Sequence, residues 1–138
     1  MHVESKYIPP SQRSLPALAL QITQLSGSYM VWIGTTTCTT ETVDKAAMQG
    51  SLLRDWACAM PPGVNTSTPA AATCLYRASS SDIALPMAQR LAKRFKKQIF
   101  LSVDIPPGFL SMGDGPLLVL AAEKAVVEGL KEAEEGAL

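Results

Sequence analysis

The chain has few of the side chains that nucleophilic catalysis needs. Its 138 residues include a single histidine, His2, close to the N-terminus. A Ser-His-Asp or Cys-His arrangement needs a histidine that ordered neighbours hold in place. The polar segment of residues 1–14, with Pro9 and Pro10, instead predicts a mobile N-terminal arm. The sequence therefore predicts no nucleophilic active site.

The cysteines do not form a metal-binding pattern either. Cys38, Cys58 and Cys74 are odd in number and include no Cys-x-x-Cys pair, whereas zinc ligands usually come in closely spaced pairs. Unpaired cysteines of this kind are typical of reduced thiols in the cytoplasm or nucleus. We expect inert cysteines and a protein that lies in the cytoplasm, with the nucleus as a second location.

Two aspartates and two glycine-containing loops are the remaining candidates for chemistry. Asp82 and Asp104 could act as paired carboxylates, but isolated aspartates at the ends of elements usually cap or end them. Gly34 with its threonines and the Gly-Asp-Gly-Pro sequence at residues 113–116 match neither the P-loop nor the dinucleotide fingerprint. We read both as turns and expect no enzyme activity, no catalytic residue, no metal and no cofactor.

A basic cluster is the sharpest ionic feature of the chain. Arg90, Lys93, Arg94 and Lys97 recur at helical spacing within residues 79–103. Three readings are open: a solvated helix face, a docking surface for an acidic protein, or a nucleic-acid site. The scarcity of aromatic residues around the cluster disfavours stacking on bases. We expect the docking surface, and no nucleic-acid partner.

The elements that position this cluster follow from the local pattern. Pro86 has no N–H and fits the first turn of a helix, so the helix is predicted to begin at about that residue. Its apolar face comprises Met87, Ala88, Leu91, Ala92 and Phe95. From Gln98 the period changes, and residues 98–103 are predicted to form a buried strand.

The other elements are predicted with less support from periodicity. Residues 15–25 and 28–35 form a predicted hairpin around Ser26-Gly27. Weaker strands are expected at residues 52–60 and 70–77, and an edge strand from His2, Val3 and Tyr7 is the alternative to a mobile arm. Long loops span residues 36–50, with a helical turn at 43–48, and 105–115. A final helix, capped by Asp114, runs to about residue 135 with Val119, Ala122, Val126 and Leu130 buried.

This order predicts a single α+β domain, residues 15–138, behind the N-terminal arm. The short loops between early strands favour antiparallel pairing. We therefore expect an antiparallel sheet of five or six strands with two helices packed on one face. A chain of this length buries roughly two-thirds of its unfolded surface in one core.

The second face of that sheet is apolar as well, although a solvated face should be polar. Met30 and Trp32 alternate with the aliphatic residues of one strand, and Phe100 does the same in another. Two helices can cover only one face, so these three side chains need a partner sheet or a returning loop as cover. The pattern predicts function through association with another protein.

The bulk composition excludes several other classes. Twelve basic and twelve acidic residues cancel, so no net field attracts nucleic acid or an anionic membrane. No apolar run approaches the roughly 18 residues of a membrane span, and the N-terminus has no apolar signal segment. We expect a soluble intracellular protein without a membrane partner.

Two segments carry a pattern found in a known family: the run MAQRLAKRFKKQIFLSV at residues 87–103 and the strand YMVWIGT at residues 29–35. Together they resemble the proteasome assembly chaperone 4 family. In that family a helix of leucine-alanine-glutamine-arginine-leucine-alanine type precedes a lysine-glutamine pair and a strand. Here Met87–Ala92 and Lys97–Phe100 match that pattern. Pro86 stands where a small residue is expected, and residues 36–50 and 105–115 are longer than the pattern needs.

The resemblance implies a non-catalytic chaperone that promotes assembly of the ring of α-type subunits of the proteasome core particle. It further implies a heterodimer with a second assembly chaperone, of the chaperone 3 type, and contact with an α-type subunit, alpha-5 being the expected one. Our partner-binding hypothesis comprises Met30, Trp32, Phe100, Arg90, Lys93, Arg94 and Lys97. The alternative is a small adaptor module of a trafficking or signalling complex, because fold alone does not assign function.

Overall fold

The computed structural model describes residues 2–10, 15–36, 46, 50, 54–61, 71–77, 83–111 and 113–136. In chain order the elements are β1 (His2–Ile8), β2 (Ala17–Leu25), β3 (Ser28–Thr36), β4 (Asp55–Ala59), β5 (Ala72–Arg77), α1 (Ala84–Phe95), β6 (Gln98–Asp104), α2 (Pro107–Leu110) and α3 (Gly115–Gly136). The predicted helical turn at 43–48 lies outside the described residues apart from Ala46, which is helical.

The strands form one six-stranded sheet in the order β1-β2-β3-β6-β4-β5. The α+β class is confirmed, but the prediction of a purely antiparallel sheet is wrong in one place, because β3 and β6 pair in parallel. Short loops favour antiparallel pairing only between strands that follow each other directly. Between β3 and β6 the chain passes through β4, β5 and α1, which is long enough for the crossover that a parallel pair requires.

The β2–β3 hairpin has the predicted turn. Leu25 pairs with Ser28, which leaves Ser26 and Gly27 as the two loop residues. Gly27 has a φ of 74°, a left-handed conformation that glycine adopts without the steric cost of a Cβ atom. The turn therefore fixes the register that sends alternate residues of both strands to opposite faces of the sheet.

The N-terminal segment pairs with the sheet over residues 2–8. β1 runs antiparallel to β2, with Lys6 opposite Leu20, so these residues form the edge strand that was the alternative to a mobile arm. Lys6 also makes an ion pair with Glu132 of α3. An inward-pointing charge of this kind protects a sheet edge from pairing with other chains. Residues 11–14 lie outside the described part.

Both longer helices lie on the same face of the sheet, as predicted. α1 packs on β4, β5 and β6, whereas α3 packs on β2 and β3. The core between them is formed by aliphatic residues such as Leu20, Val31 and Leu101, each at most 1% exposed. In α3, a Cβ atom on Gly129 would lie 2.8 Å from Leu20 Cδ2. The glycine therefore lets the helix approach β2 closely.

The start of α1 depends on a residue from another element. Asp55 of β4 is buried, and its Oδ2 accepts hydrogen bonds from the backbone N–H groups of Ile83 (2.8 Å) and Ala84 (3.0 Å). These are donors that the first turn of a helix leaves unpaired. The carboxylate also interacts favourably with the positive end of the helix dipole. α1 thus begins two residues before the predicted Pro86, which lies in its first turn.

The end of α1 sets the start of β6. Lys96 adopts a left-handed conformation with φ 55°, and its N–H donates to the carbonyl oxygen of Ala92 at 2.9 Å. This C-terminal turn stops the helix, and β6 follows from Gln98 as predicted. The short helix α2 lies within the predicted loop 105–115 and packs against α3. In α3, the predicted Ala122, Val126 and Leu130 are buried and Val119 is partly buried.

Candidate partner-binding surfaces

The face of the sheet opposite the helices has a patch of large side chains that crosses four strands. Strand register places Met30 beside Phe100 and Phe100 beside Cys58. A second row runs from Trp32 through Ser102 to Trp56 and on to Tyr76. We call this surface the open face; its large members are Met30, Trp32, Trp56, Cys58, Tyr76 and Phe100.

Sequence reasoning placed three of these residues, Met30, Trp32 and Phe100, on this face. It missed Trp56, Cys58 and Tyr76, because the alanines of β4 and β5 weakened the strand predictions. The available signal was the alternation in β4, where Trp56 and Cys58 alternate with Ala57 and Ala59, which belong to the helix-covered core. The register then extends the patch to β5.

The open face is covered unevenly. Met30, Trp56 and Phe100 are half-buried, whereas Tyr76 is 45% exposed. Trp32 is only 5% exposed, since the backbone at Gly50 lies against it: a Cβ atom there would come within 2.5 Å of Trp32 Cζ2. At Trp32 the chain itself thus supplies the returning cover that was one of the two predicted alternatives. The patch from Phe100 to Tyr76 keeps exposed surface.

Two polar atoms within this patch are unsatisfied. The indole nitrogens Nε1 of Trp32 and Trp56 are buried, and neither has a hydrogen-bond acceptor among the residues that the structure describes. A buried N–H without an acceptor costs about 1–3 kcal/mol. A rearrangement of the open face that brings an acceptor to either indole would therefore be stabilising.

One end of the open face carries an ion pair. Asp104, the last residue of β6, accepts a hydrogen bond from Arg54 Nε at 2.8 Å. The neighbouring Gly34 is needed there, because a Cβ atom would lie 2.8 Å from the carbonyl oxygen of Asp104. Asp104 thus ends a strand and pairs with a cation, as expected for a structural carboxylate. Asp82 lies outside the described residues.

The basic cluster divides into two pairs with different roles. Arg90 Nε donates to Glu123 Oε1 at 2.7 Å, which joins α1 to α3. Lys97 Nζ lies 3.1 Å from Glu134 Oε1 at the other end of the same helix pair. Lys93 and Arg94 are exposed instead, and the Arg94 guanidinium lies 6.0 Å from the ring centroid of Phe95. Among the described residues, Lys93 and Arg94 form no ion pair, so a partner can bind them without breaking one.

Lys97, in the turn between α1 and β6, belongs to a three-residue cluster that connects this turn to β3 and α3. The Tyr29 hydroxyl donates to Glu134 Oε1 at 3.0 Å and accepts from Lys97 Nζ at 3.3 Å. Burial, more than the neighbouring Glu134, raises the pKa of Tyr29. The hydrogen bond to Glu134 raises the pKa of Lys97 against the opposing effect of burial. The cluster therefore keeps a neutral tyrosine between two opposite charges.

The described residues hold no group of three or more histidine, cysteine, aspartate or glutamate side chains suited to a metal ion. Cys58 is buried and its Sγ accepts a hydrogen bond from Gln98 Nε2 at 3.3 Å, whereas Cys74 is exposed on β5. Cys38 lies outside the described part. None of the helices within that part is both long and apolar enough to cross a membrane.

Comparison with known proteins gives a family match for the sequence and a solved structure with a similar fold. A family model described as proteasome assembly chaperone 4 matches residues 17–105, well over half of the chain. The fold is similar to that of a chain in the crystal structure of a novel chaperone complex for yeast 20S proteasome assembly. The TM-score is 0.61 at 17% sequence identity, covering 96% of this chain and 98% of that one. No curated protein matches the sequence.

Proposed function

Because the chain belongs to the proteasome assembly chaperone 4 family, we propose that it works as one half of a heterodimer. The other half is a second small assembly chaperone, of the chaperone 3 type. The pair binds an α-type subunit of the proteasome core particle, alpha-5 being the proposed one, and promotes assembly of the α-subunit ring. The proposed place of action is the cytoplasm, with the nucleus as a second location.

The open face supports the heterodimer and is the observation that carries the proposal. Phe100, Trp56 and Tyr76 present aromatic surface on three adjacent strands that no described helix covers. Aromatic side chains are enriched at protein interfaces because each adds a large apolar area at a small cost in conformational entropy. A partner sheet laid on this face would bury the exposed rings, at about 25 cal/mol per Å² of apolar surface.

The proposed mechanism is thermodynamic and involves no reaction. A chaperone that binds only the correctly folded subunit stabilises it by mass action, by about 2.7 kcal/mol when the chaperone is present at 100 times its dissociation constant. While it is bound it also blocks contacts with incorrect neighbours. This role needs surfaces of defined shape and charge, which the open face and the exposed half of the basic cluster offer.

The test is reconstitution from purified components. The chain is mixed with a chaperone 3 type protein and with each α-type subunit in turn, and the masses are measured by light scattering after size exclusion. We expect a one-to-one chaperone pair that binds alpha-5. A chain that stays monomeric with the second chaperone and binds no α-type subunit would refute the proposal. Capture of a GTPase or a coat protein by the purified pair would favour the adaptor alternative instead.

A further inference from the structure

The outer surface of the helix layer exposes leucines that the core does not use. Leu117 and Leu120 lie three residues apart on α3 and are 44% and 62% exposed. Single exposed apolar residues are common on protein surfaces, but residues at this spacing share one side of a helix. They give the first turns of α3 a continuous apolar stripe on the side away from the sheet.

The same surface has positive charge that the chain does not neutralise. α1 contains no acidic residue, and the acidic residues Glu123 and Glu134 of α3 already pair with Arg90 and Lys97. Lys93, Arg94 and Lys96 are exposed and form no ion pair within the described part of the chain. These three cations thus lie together near the C-terminal end of α1, while Glu128 and Glu135 are exposed on α3.

The two ion pairs also define how the leucines and the cations are arranged. Arg90 pairs with Glu123, and Lys97, just after the end of α1, pairs with Glu134 further along α3. The two helices therefore run side by side in the same direction. Leu120 lies one turn before the first pair, and Lys93 and Arg94 lie one turn after it. At about 1.5 Å of rise per residue, the leucine and the cations are separated by about 10 Å along the helix axes.

We propose that this surface, formed by Leu117, Leu120, Lys93 and Arg94, docks an acidic amphipathic helix of the client α-type subunit. The inference rests on the proposed function, and it names the chemistry by which the chain contacts the client in addition to the second chaperone. An apolar side chain of the docked helix contacts Leu120, and a carboxylate about seven residues away reaches Lys93 and Arg94, because seven residues of helix span about 10 Å. The docked helix thus binds through its apolar face, and charge complementarity sets its direction.

The position of this surface favours the client α-type subunit, and not the second chaperone, as the protein that binds it. α1 and α3 cover one face of the sheet, and the open face is the other. A second chaperone on the open face therefore leaves the helix layer accessible. One small domain can in this way hold the second chaperone and the client at the same time, one on each side of its sheet.

The experiment measures binding of purified alpha-5 to the reconstituted chaperone pair at low and moderate salt. Leu120→Asp places a charge at the centre of the apolar stripe, and the double variant Lys93→Glu with Arg94→Glu reverses the cations. Lys131→Glu is the matched control, since Lys131 is exposed on α3 beyond the surface. A photo-crosslinking residue at position 120, compared with one at 131, gives a readout that does not depend on a destabilising substitution.

We expect Leu120→Asp to weaken alpha-5 binding about tenfold or more. The double reversal should slow association and remove most of its salt dependence, and Lys131→Glu should change neither. Crosslinks from position 120 to an acidic helix of alpha-5 would support the proposal. Wild-type binding that both variants preserve, without crosslinks from position 120, would overturn the proposal alone. Failure of the wild-type pair to bind any α-type subunit would overturn the proposed function and this client together.

Discussion

The two faces of the sheet differ in the kind of apolar residue that they present. The helix-covered face is mainly aliphatic apart from Tyr29, and its residues Val31, Ile99 and Leu101 are fully buried against α1 and α3. The open face is aromatic and partly exposed, with Phe100 and Trp56 half-buried. Aliphatic side chains fill a core that forms within one chain, whereas aromatic ones with a polar group suit a surface that is exposed until a partner arrives. We therefore propose that the helix-covered face stabilises the fold and that the open face binds the partner.

The largest expected effect comes from the helix-covered face. Leu101→Ala removes a fully buried side chain from the centre of the core. We expect it to lower the free energy of unfolding by about 2–5 kcal/mol, because a cavity adds to the lost burial of apolar surface. Chemical denaturation of the isolated chain measures this change. A loss below about 1 kcal/mol would mean that the core around Leu101 is not packed as described.

Phe100, the neighbour of Leu101 in the same strand, should contribute less to stability and more to partner binding. Phe100→Ala on the open face is expected to change the stability of the isolated chain less than Leu101→Ala does. It should weaken binding of the second chaperone by about 2 kcal/mol, the level of an interface hot spot. Titration calorimetry with the purified chaperone provides the measurement. Leu101→Ala, studied at a temperature where it stays folded, is the control and should bind normally. Equal binding by both variants would remove the distinction between the two faces.

How much of the fold could be predicted depends on how far apart the interacting residues lie along the chain. The hairpin around Gly27 and the α1–β6 unit depend on local spacing, and both were predicted correctly. The parallel pairing of β3 with β6 and the joining of Trp56 to Trp32 across Ser102 depend on which distant strands become neighbours. No local periodicity encodes that choice.

The basic cluster shows the same limit for the candidate site. Its four cations were predicted from helical spacing. Spacing alone could not show that Arg90 forms an internal ion pair whereas Lys93 is exposed. Arg90 pairs with Glu123, 33 residues further along the chain, and only the tertiary arrangement of the two helices on the sheet brings these residues together. Lys97 likewise acquires its partner Glu134 through tertiary structure. The sequence predicts the basic cluster, but only the tertiary structure shows that Lys93 and Arg94 remain available to a partner.

A smaller effect is expected at the one buried carboxylate of β4 that faces the helices. Asp55→Ala removes the acceptor from two N–H groups at the start of α1. We expect a loss of about 1–2 kcal/mol in the free energy of unfolding. Asp55→Asn is the control, because its amide oxygen can still accept a hydrogen bond and should retain part of the stability. Equal losses in the two variants would show that the carboxylate charge, and not the capping bonds, matters here.

The cluster of Tyr29, Lys97 and Glu134 predicts a loss of stability in alkaline solution. The pKa values of Tyr29 and Lys97 are both raised in the folded protein, so the folded state holds these protons more tightly than the unfolded state. Their contribution is fully present below the unfolded values of about 10, and it is lost as the pH rises through the folded values. Denaturation at a series of pH values measures the slope above pH about 10. The double variant Tyr29→Phe with Lys97→Met should show a shallower slope; an unchanged one would exclude the cluster as its cause.

The smallest effect on the free energy of unfolding is expected at the cysteines. It should differ between the buried Cys58 and the exposed Cys74. Cys74→Ser on the exposed surface of β5 should change the free energy of unfolding by less than about 0.5 kcal/mol. Cys58→Ser should cost more, about 1 kcal/mol, because the buried thiol accepts a hydrogen bond from Gln98 and the hydroxyl is more costly to bury. The Cys74→Ser change removes neither a ligand nor a nucleophile, so binding of the second chaperone should persist in this folded variant. Stoichiometric zinc in the purified wild-type protein, or loss of binding in Cys74→Ser at unchanged stability, would instead assign the thiols a chemical role.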